Sequence, residues 1–302
     1  MTKVTVLLST YNGEKYLKEQ LDSIFAQTDV EVSVLARDDG SNDGTKKLLS
    51  GYEKVKLIRG SNMGVGNSFM NLVYAAEDDS EYYAFADQDD FWEPEKLSEA
   101  INLLKEQEKQ LYVSNQTPVD KHLREITPLR FDNAPDLSPL SIMSENPVAG
   151  CTMVFSREFR DTLADVVHRP TAGLLKKRIH DVWVDMVGAV TGEVIYDHRS
   201  FIKYRQHENN VVGTKKSSPL DILRNQIKKF KNPELRNGRS ALAREIVEKF
   251  PEEAAKEPLL KTCAYAGKFS NKIKLLKNAG KLRSYTGEGK AGFALKVLLG
   301  YF

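Results

Sequence analysis

The chain has little cysteine. Two occur in 302 residues, Cys151 and Cys263, too far apart for a metal spacing or a disulfide framework. That scarcity fits a reducing cytoplasm. Long apolar runs are missing too: no stretch approaches the roughly 18 residues of a membrane helix. "MTK" passes directly into "VTVLLS", an apolar run too short for a signal peptide. No Walker A phosphate loop occurs. In "NMGVGNSF" the pair Gly64-x-Gly66 is followed by Phe69 where a dinucleotide fingerprint needs a small residue. The five histidines are scattered and form no H-E-x-x-H, which argues against catalytic zinc. Neither acidic cluster has EF-hand spacing. No Ser-His-Asp or Cys-His arrangement stands out. Nicotinamide enzymes, P-loop enzymes, zinc hydrolases and nucleophile-based hydrolases are therefore set aside.

Charge is present in quantity and unevenly placed. The formal net charge is +2. Residues 215–302 carry 20 Lys+Arg against 8 Asp+Glu, a net of +12, so residues 1–214 carry −10. An acidic body and a basic tail call for different partners. The composition change places a domain boundary at 214/215. No internal repeat or low-complexity tract occurs.

The first third alternates two periodicities. "VTVLLS" (4–9), the alternating Val30, Val32, Val34 and Ala36, "KVKLIRG" (54–60), "EYYAFA" (81–86) and "LYVSNQ" (111–116) read as strands. Leu17, Leu21, Ile24 and Phe25 mark one face of an intervening helix, as do Phe69, Leu72, Val73 and Ala76. Strand and helix in alternation predict an α/β fold, a mostly parallel sheet flanked by helices. Residues 117–147, rich in Pro, Ser and Asp, read as a long loop. "NPVAGCTMVFS" returns to a strand, "KRIHDVWVDMVGAVTG" is helical with Val182, Met186 and Ala189 on one face, and "EVIYDHRSFIKYRQH" is extended. The basic remainder reads as helices broken by Pro233, Pro251 and Pro258.

In parallel sheets, ligands bind beyond the carboxyl ends of the strands. Three polar motifs sit there: "STYNGE", "RDDGSNDG" and "ADQDD". Asp87 and Asp89, at i and i+2, can both reach one hard divalent cation, Mn²⁺ or Mg²⁺, whose other ligands are waters and substrate phosphates. Thr10, Tyr11, Asn12 and Glu14 stand at the first strand end, where they either hold a nucleotide or cap the next helix. Asp38 or Asp39 can accept from a base or ribose, although Asp-Gly turn chemistry explains the same residues. His180-Asp181 opens a helix, so Asp181 is either a general base or a first-turn acid. In "KYRQHENN", Arg205 suits a phosphate clamp, and His207 is either a metal ligand, a phosphate donor or merely a satisfied histidine.

Together "VLLSTYNGEKYLKEQLDSI", "RDDGSNDGT", "FADQDDFWEPEKL", "AGCTMVFSR", "HDVWVDMVGAVTGEVIYD" and "YRQHENNVVG" resemble, in order, the inverting family 2 glycosyltransferases with the GT-A fold, and most of all their bacterial rhamnosyltransferase-like branch. The resemblance covers about residues 3–213. It implies that Thr10, Tyr11 and Asp39 hold the nucleotide, that Asp87 and Asp89 are the D-x-D pair, and that Asp181 is the catalytic base. It implies that His207 meets the metal or diphosphate. Relatives carry an Arg after the "N-x-G" segment; this chain has Asn67 instead, expected to take part of that role. Asp90, Trp92 and His180 complete the expected phosphate or acceptor side, with Asp90 directed toward the following turn or the acceptor.

The implied reaction is transfer of a sugar, rhamnose from dTDP-rhamnose first and a hexose from a UDP-sugar second, to a hydroxyl of a lipid-linked, cell-wall or capsular acceptor. A sugar-nucleotide pyrophosphorylase and a non-catalytic nucleotide-sugar-binding protein are the alternatives. From Leu259 to Phe302 there are nine Lys+Arg and one Glu, mixed with Leu, Ile, Val and Phe at helical spacing. Such helices suit an anionic membrane surface, an oligomer contact or packing on the acidic body. The expected location is the cytoplasmic face of the bacterial membrane, without nucleic acid as partner, since no binding module is present.

Overall fold

The computed structural model describes residues 1–127, 129–207 and 237–302. The chain divides into two compact units that interleave in sequence. The first comprises Met1–Pro135, Val148–Asp165 and Glu193–Thr214; the second comprises Asp136–Pro147, Val166–Gly192 and Lys215–Phe302. The compositional boundary at 215 thus opens the last segment of the second unit, and two earlier segments join it.

The first unit follows the alternation expected of it. In chain order it runs β1 (Thr2–Thr10), α1 (Glu14–Phe25), β2 (Val30–Asp38), α2 (Thr45–Leu49), β3 (Val55–Arg59), α3 (Val65–Ala75), β4 (Tyr82–Ala86), β5 (Phe91–Trp92), α4 (Lys96–Glu106) and β6 (Leu111–Val119). The helix α5 (Pro139–Ser144) belongs to the second unit. The first unit resumes with β7 (Val154–Ser156), α6 (Arg157–Ala164) and, after α7 (Ala172–Lys177) and α8 (His180–Thr191) of the second, β8 (Val194–Arg205).

The strand order is β3-β2-β1-β4-β7-β6-β8-β5. β1 pairs in parallel with both β2 and β4, Thr10 opposite Asp38 and Leu8 opposite Ala86. That register brings the polar turns after three strands to one edge. The other half of the sheet departs from a uniformly parallel pattern. β7 runs antiparallel to β4 and to β6. β8 runs parallel to β6, with register shifts at Ser114/Asn115 and Asn115/Thr117. Beyond those irregularities it pairs with β5, Phe91 opposite Lys203 and Trp92 opposite Ile202. The two-residue β5 carries no periodicity of its own. Its pairing brings residues 87–90 beside 205–207.

The core of this unit joins Val4, Val6 and Leu8 of β1 to Leu17, Leu21 and Ile24 of α1, and to Trp92, Leu97 and Ile101. Each such side chain contributes about 1.5–3 kcal/mol by leaving water, which anchors the strand ends under the site.

The second unit is helical. Pro251 and Pro258 open helices rather than interrupt them, as the missing N–H and fixed φ at a first turn allow. Its helices after α8 are α9 (Gly238–Lys249), α10 (Pro251–Ala254), α11 (Pro258–Ala264), α12 (Phe269–Lys277), α13 (Ala279–Ser284) and α14 (Lys290–Leu299). α8 is buried on every face from His180 to Gly188, where the sequence pattern predicted one apolar stripe. It ends at Gly192, left-handed at φ 78°, a conformation that favours glycine. Phe250 stacks on His168 at 4.5 Å and meets Trp183 at 6.3 Å. Pro233 lies outside the described residues. Among the described residues no helix is long and apolar enough to cross a membrane.

Candidate active site

The turn after β1 is built against the turn after β2. Asn12 adopts φ 50°, a left-handed bend that asparagine tolerates. Its main-chain N–H donates to Ser41 Oγ at 2.9 Å, and its side-chain oxygen accepts from Asn42 N at 2.9 Å. Glu14 accepts from Gly44 N at 2.8 Å, and its own N–H donates to Asp43 at 3.1 Å. Asn12 and Glu14 are therefore straps between two loops. Tyr11 is 46% exposed, and its backbone is bracketed by Gln88, which accepts from Tyr11 N at 2.9 Å and donates to Tyr11 O at 3.2 Å. A Cβ on Gly13 would run into that Gln88 amide. Thr10 is buried beside Asp38, which caps the N–H groups of Gly40 and Ser41.

Asp39 is buried in an ion pair with Arg37 and accepts from Met63 N and Gly64 N, at 3.1 and 3.2 Å. It fixes the segment leading to α3, where Asn67 donates to Met63 O at 3.2 Å. The nucleotide-side residues thus gather at one sheet edge, with Tyr11 presenting its ring to solvent.

The carboxylates after β4 separate into two groups. Asp89 Oδ2 lies 2.8 Å from His207 Nε2. Asp87 instead lies with Asp90 and Cys151, their ligand atoms all within 4.8 Å of one another. The chain bends at residues 88 and 89, which breaks the period-2 logic that put Asp87 and Asp89 side by side. Asp90 is fully buried and accepts from Arg205 N at 3.0 Å. Burial, then the charges of Asp89 and Asp87, push its carboxyl well above the usual range. Burial pushes the Cys151 thiol up as well, with Asp90 and Asp87 adding to it. Lys96 is buried with Nζ 4.2 Å from the Trp92 ring, and burial brings its ammonium down to about 8, opposed by Cys151 and Asp90.

A divalent cation suits one of these groups better than the other. Asp90 and Cys151 are buried beside the Lys96 ammonium, a cation that competes for the same oxygens, which makes theirs the poorer cage. A partly exposed carboxylate oxygen facing an imidazole nitrogen is a donor set that Mn²⁺ accepts readily. The geometry thus fits Asp89 and His207 as metal-side residues.

Two residues expected on the phosphate or acceptor side sit elsewhere. Trp92 is 1% exposed and packed in the hydrophobic core, because β5 pairs with β8 and turns it inward. Arg205 is 1% exposed. Its Nε donates to Asp89 O at 2.7 Å, Nη1 donates to Lys121 O at 2.8 Å, and the guanidinium pairs with Glu19. Those bonds make it a bolt inside the first unit rather than a phosphate clamp. Asn209 and Asn210 lie outside the described residues.

In the second unit, Asp181 stands in the first turn of α8. Its Oδ2 accepts from Asn146 Nδ2 at 2.8 Å, and Oδ1 accepts from Val182 N at 2.7 Å. His180 is buried, and burial brings its imidazole down to about 3, so it is neutral at physiological pH and supplies no charge to a phosphate. Asp185, one turn on, was not anticipated from the sequence. It is buried, both its oxygens lack a hydrogen-bond partner among the described residues, and burial followed by the Asp181 charge pushes its carboxyl well above the usual range. Gln88, Lys96, Tyr16, Glu19 and Asn146 were also unmarked; only Gln88, inside "ADQDD", had a local signal.

Comparisons with known proteins agree with this architecture. The dTDP-rhamnosyl transferase RfbG of Shigella flexneri is 28% identical over 233 residues, 72% of this chain and 80% of that protein. A glycosyltransferase of Bacillus subtilis (strain 168) named for teichuronic acid biosynthesis, TuaG, is 26% identical over 168 residues, 51% of this chain and 62% of that protein. The crystal structure of S. aureus TarS 1–349 in complex with UDP-GlcNAc aligns with a TM-score of 0.57 at 18% identity, covering 98% of this chain and 81% of that one, which shows the shared fold. Residues 5–162, more than half of the chain, match "Glycosyl transferase family 2". The chain belongs to that family and has its GT-A fold.

Proposed function

We propose that the chain moves a sugar from a nucleoside diphosphate donor to an acceptor hydroxyl in a single displacement that inverts the anomeric carbon. The observation that carries this reading is the Asp89–His207 pair, which joins the turn after β4 to the residues after β8 in a chain whose residues 5–162 match family 2 glycosyltransferases. On this reading Thr10, Tyr11 and the loop ordered by Asp39 receive the nucleoside, with the Tyr11 ring free to stack on the base. Asp89 and His207, with Asp87, hold Mn²⁺ or Mg²⁺. That cation would neutralise charge growing on the leaving diphosphate. Asp181 is the base: it takes the acceptor O–H proton as the oxygen bonds to the anomeric carbon, while the anomeric C–O bond to phosphate breaks and its electron pair leaves with the diphosphate. The hydrogen bonds from Asn146 and Val182 keep its carboxylate oriented for that transfer.

The similarity to a dTDP-rhamnosyl transferase supports dTDP-rhamnose as donor; the TarS complex with UDP-GlcNAc supports a UDP-sugar as the second choice. A lipid-linked or cell-wall glycan is the acceptor we favour. Phe269 and Ile273 on α12 and Leu295, Leu298 and Leu299 on α14 are exposed among the lysines of the basic tail, which supports a peripheral site on an anionic cytoplasmic leaflet. The test is a panel of dTDP- and UDP-sugars with Mn²⁺, read by nucleotide release and by NMR of the product anomer. Release from one donor with inversion is expected. No release from any donor, or retention of configuration, overturns the reading.

A further inference from the structure

Asp89 and His207 are 118 positions apart, so something other than sequence proximity must keep them together. Arg205 and Tyr16 surround the pair. The Arg205 main-chain N–H reaches Asp90 and its Nε reaches the Asp89 carbonyl, so this one residue is bonded to both members of the dipeptide. Its guanidinium carbon lies 4.5 Å from the centroid of the Tyr16 ring on α1, and its charge pairs with Glu19, one turn further along that helix. The same Tyr16 ring stacks on His207, centroids 5.2 Å apart and planes inclined by 26°. β8 ends at Arg205 and His207 follows two residues later, and one ring meets both side chains. The Tyr16 hydroxyl is buried and lacks a hydrogen-bond partner, so the ring face rather than the phenol makes these contacts.

We infer that Tyr16 and Arg205 are positioning residues: Arg205 fixes the Asp89 backbone, and the Tyr16 ring seats the His207 imidazole, so that Asp89 Oδ2 and His207 Nε2 are presented to a divalent cation already oriented. This rests on the reading of that pair as the cation site. Orienting partners of metal ligands typically change metal affinity by about 10- to 100-fold when removed. An ornamental surface ion pair would change it by nothing.

The test is Mn²⁺ binding to the full-length chain, with UDP present, followed by electron paramagnetic resonance. Tyr16→Phe keeps the ring and is expected to bind Mn²⁺ within about twofold of wild type. Tyr16→Leu removes the ring and is expected to weaken binding about tenfold, the low end of that range, and to broaden or shift the His207 imidazole NMR signals. Glu19→Gln, whose side chain is half exposed, is a second probe that leaves the core intact; a loss of about threefold is expected from a loosened Arg205. Wild-type affinity in Tyr16→Leu, or in Glu19→Gln if Tyr16→Leu does not fold, overturns the inference, as does an equal loss in Tyr16→Phe and Tyr16→Leu. Wild-type protein that binds no Mn²⁺ overturns instead the underlying assignment of the site, so the two failures are distinguishable.

Discussion

The acids after β4 and the acids on α8 each include one buried carboxyl pushed above the usual range, and they differ in the partners around it. Around β4, each carboxylate has company: Asp89 faces His207, Asp90 takes an N–H from Arg205, and Lys96 stands close by. Asp87 and Asp89 remain partly open to solvent. On α8, Asp181 is held by two N–H donors, while Asp185, one turn on, has none among the described residues and burial pushes its carboxyl above the usual range. The first arrangement pairs the partly exposed Asp89 carboxylate with an imidazole, beside a buried Asp90 whose carboxyl burial pushes above the usual range. The second leaves one oriented carboxylate beside a buried acid that has no such donors. The difference teaches that acidity in this chain is sorted by partners, not by the number of Asp residues.

Substitutions break that contrast at different depths. Asp181→Asn should cost the most: turnover falls by about 10²- to 10⁴-fold, the range of a general base, while Mn²⁺-dependent nucleotide binding is retained. Steady-state kinetics beside a nucleotide titration checks both. Gly13→Ala tests the packing under the donor side. Its new methyl displaces the end of the Gln88 side chain and breaks its two hydrogen bonds to Tyr11, each worth about 0.5–1.5 kcal/mol, measurable by urea unfolding. Gln88→Ala in the same chain should add little to that loss.

Asp185→Asn sharpens the α8 side through pH. Because burial raises the folded-state value of Asp185 above its ordinary 3.8, the folded protein holds a proton that the unfolded chain releases. Its stability contribution is complete below pH 3.8 and declines as pH rises toward the folded value. Asparagine does not titrate. The melting temperature of Asp185→Asn relative to wild type should therefore rise from pH 4 to pH 8; a constant difference would count against the neutral carboxyl. The smallest stability effect is expected at the tail. Phe269→Ser with Leu298→Ser should change unfolding free energy by no more than about 0.5 kcal/mol, yet reduce flotation with anionic vesicles.

The strand ends were legible because each polar turn follows an apolar run whose period is unambiguous: β1, β2 and β4 lead directly to Thr10, Asp38 and Asp87. Asp181 was legible from the helical pattern behind it. What could not be read depends on pairing across the sheet. Trp92 looks like an aromatic beside a ligand site until β5 joins β8 and buries it. Arg205 looks like a phosphate clamp until the same pairing delivers it to Asp89, Asp90 and Glu19. Asn12 and Glu14 could hold either a nucleotide or a loop, and only the position of residues 41–44 decides for the loop. Asp185 stands at the i+3 position of the face that Val182, Met186 and Ala189 mark, where an apolar residue is expected, and its isolation is a property of packing on every side of α8.

The central claim is that Asp89 and His207 present a cation to the donor's diphosphate. The most direct measurement is isothermal titration of UDP and dTDP into wild type, Asp89→Asn and His207→Ala, each with Mn²⁺ and with EDTA. The account predicts that Mn²⁺ tightens nucleotide binding to wild type by about tenfold or more, and that both variants lose that gain while binding in EDTA is unchanged, in line with removal of a ligand or its orienting partner. Equal affinity with Mn²⁺ and EDTA in wild type, or an undiminished Mn²⁺ gain in both variants, would contradict it.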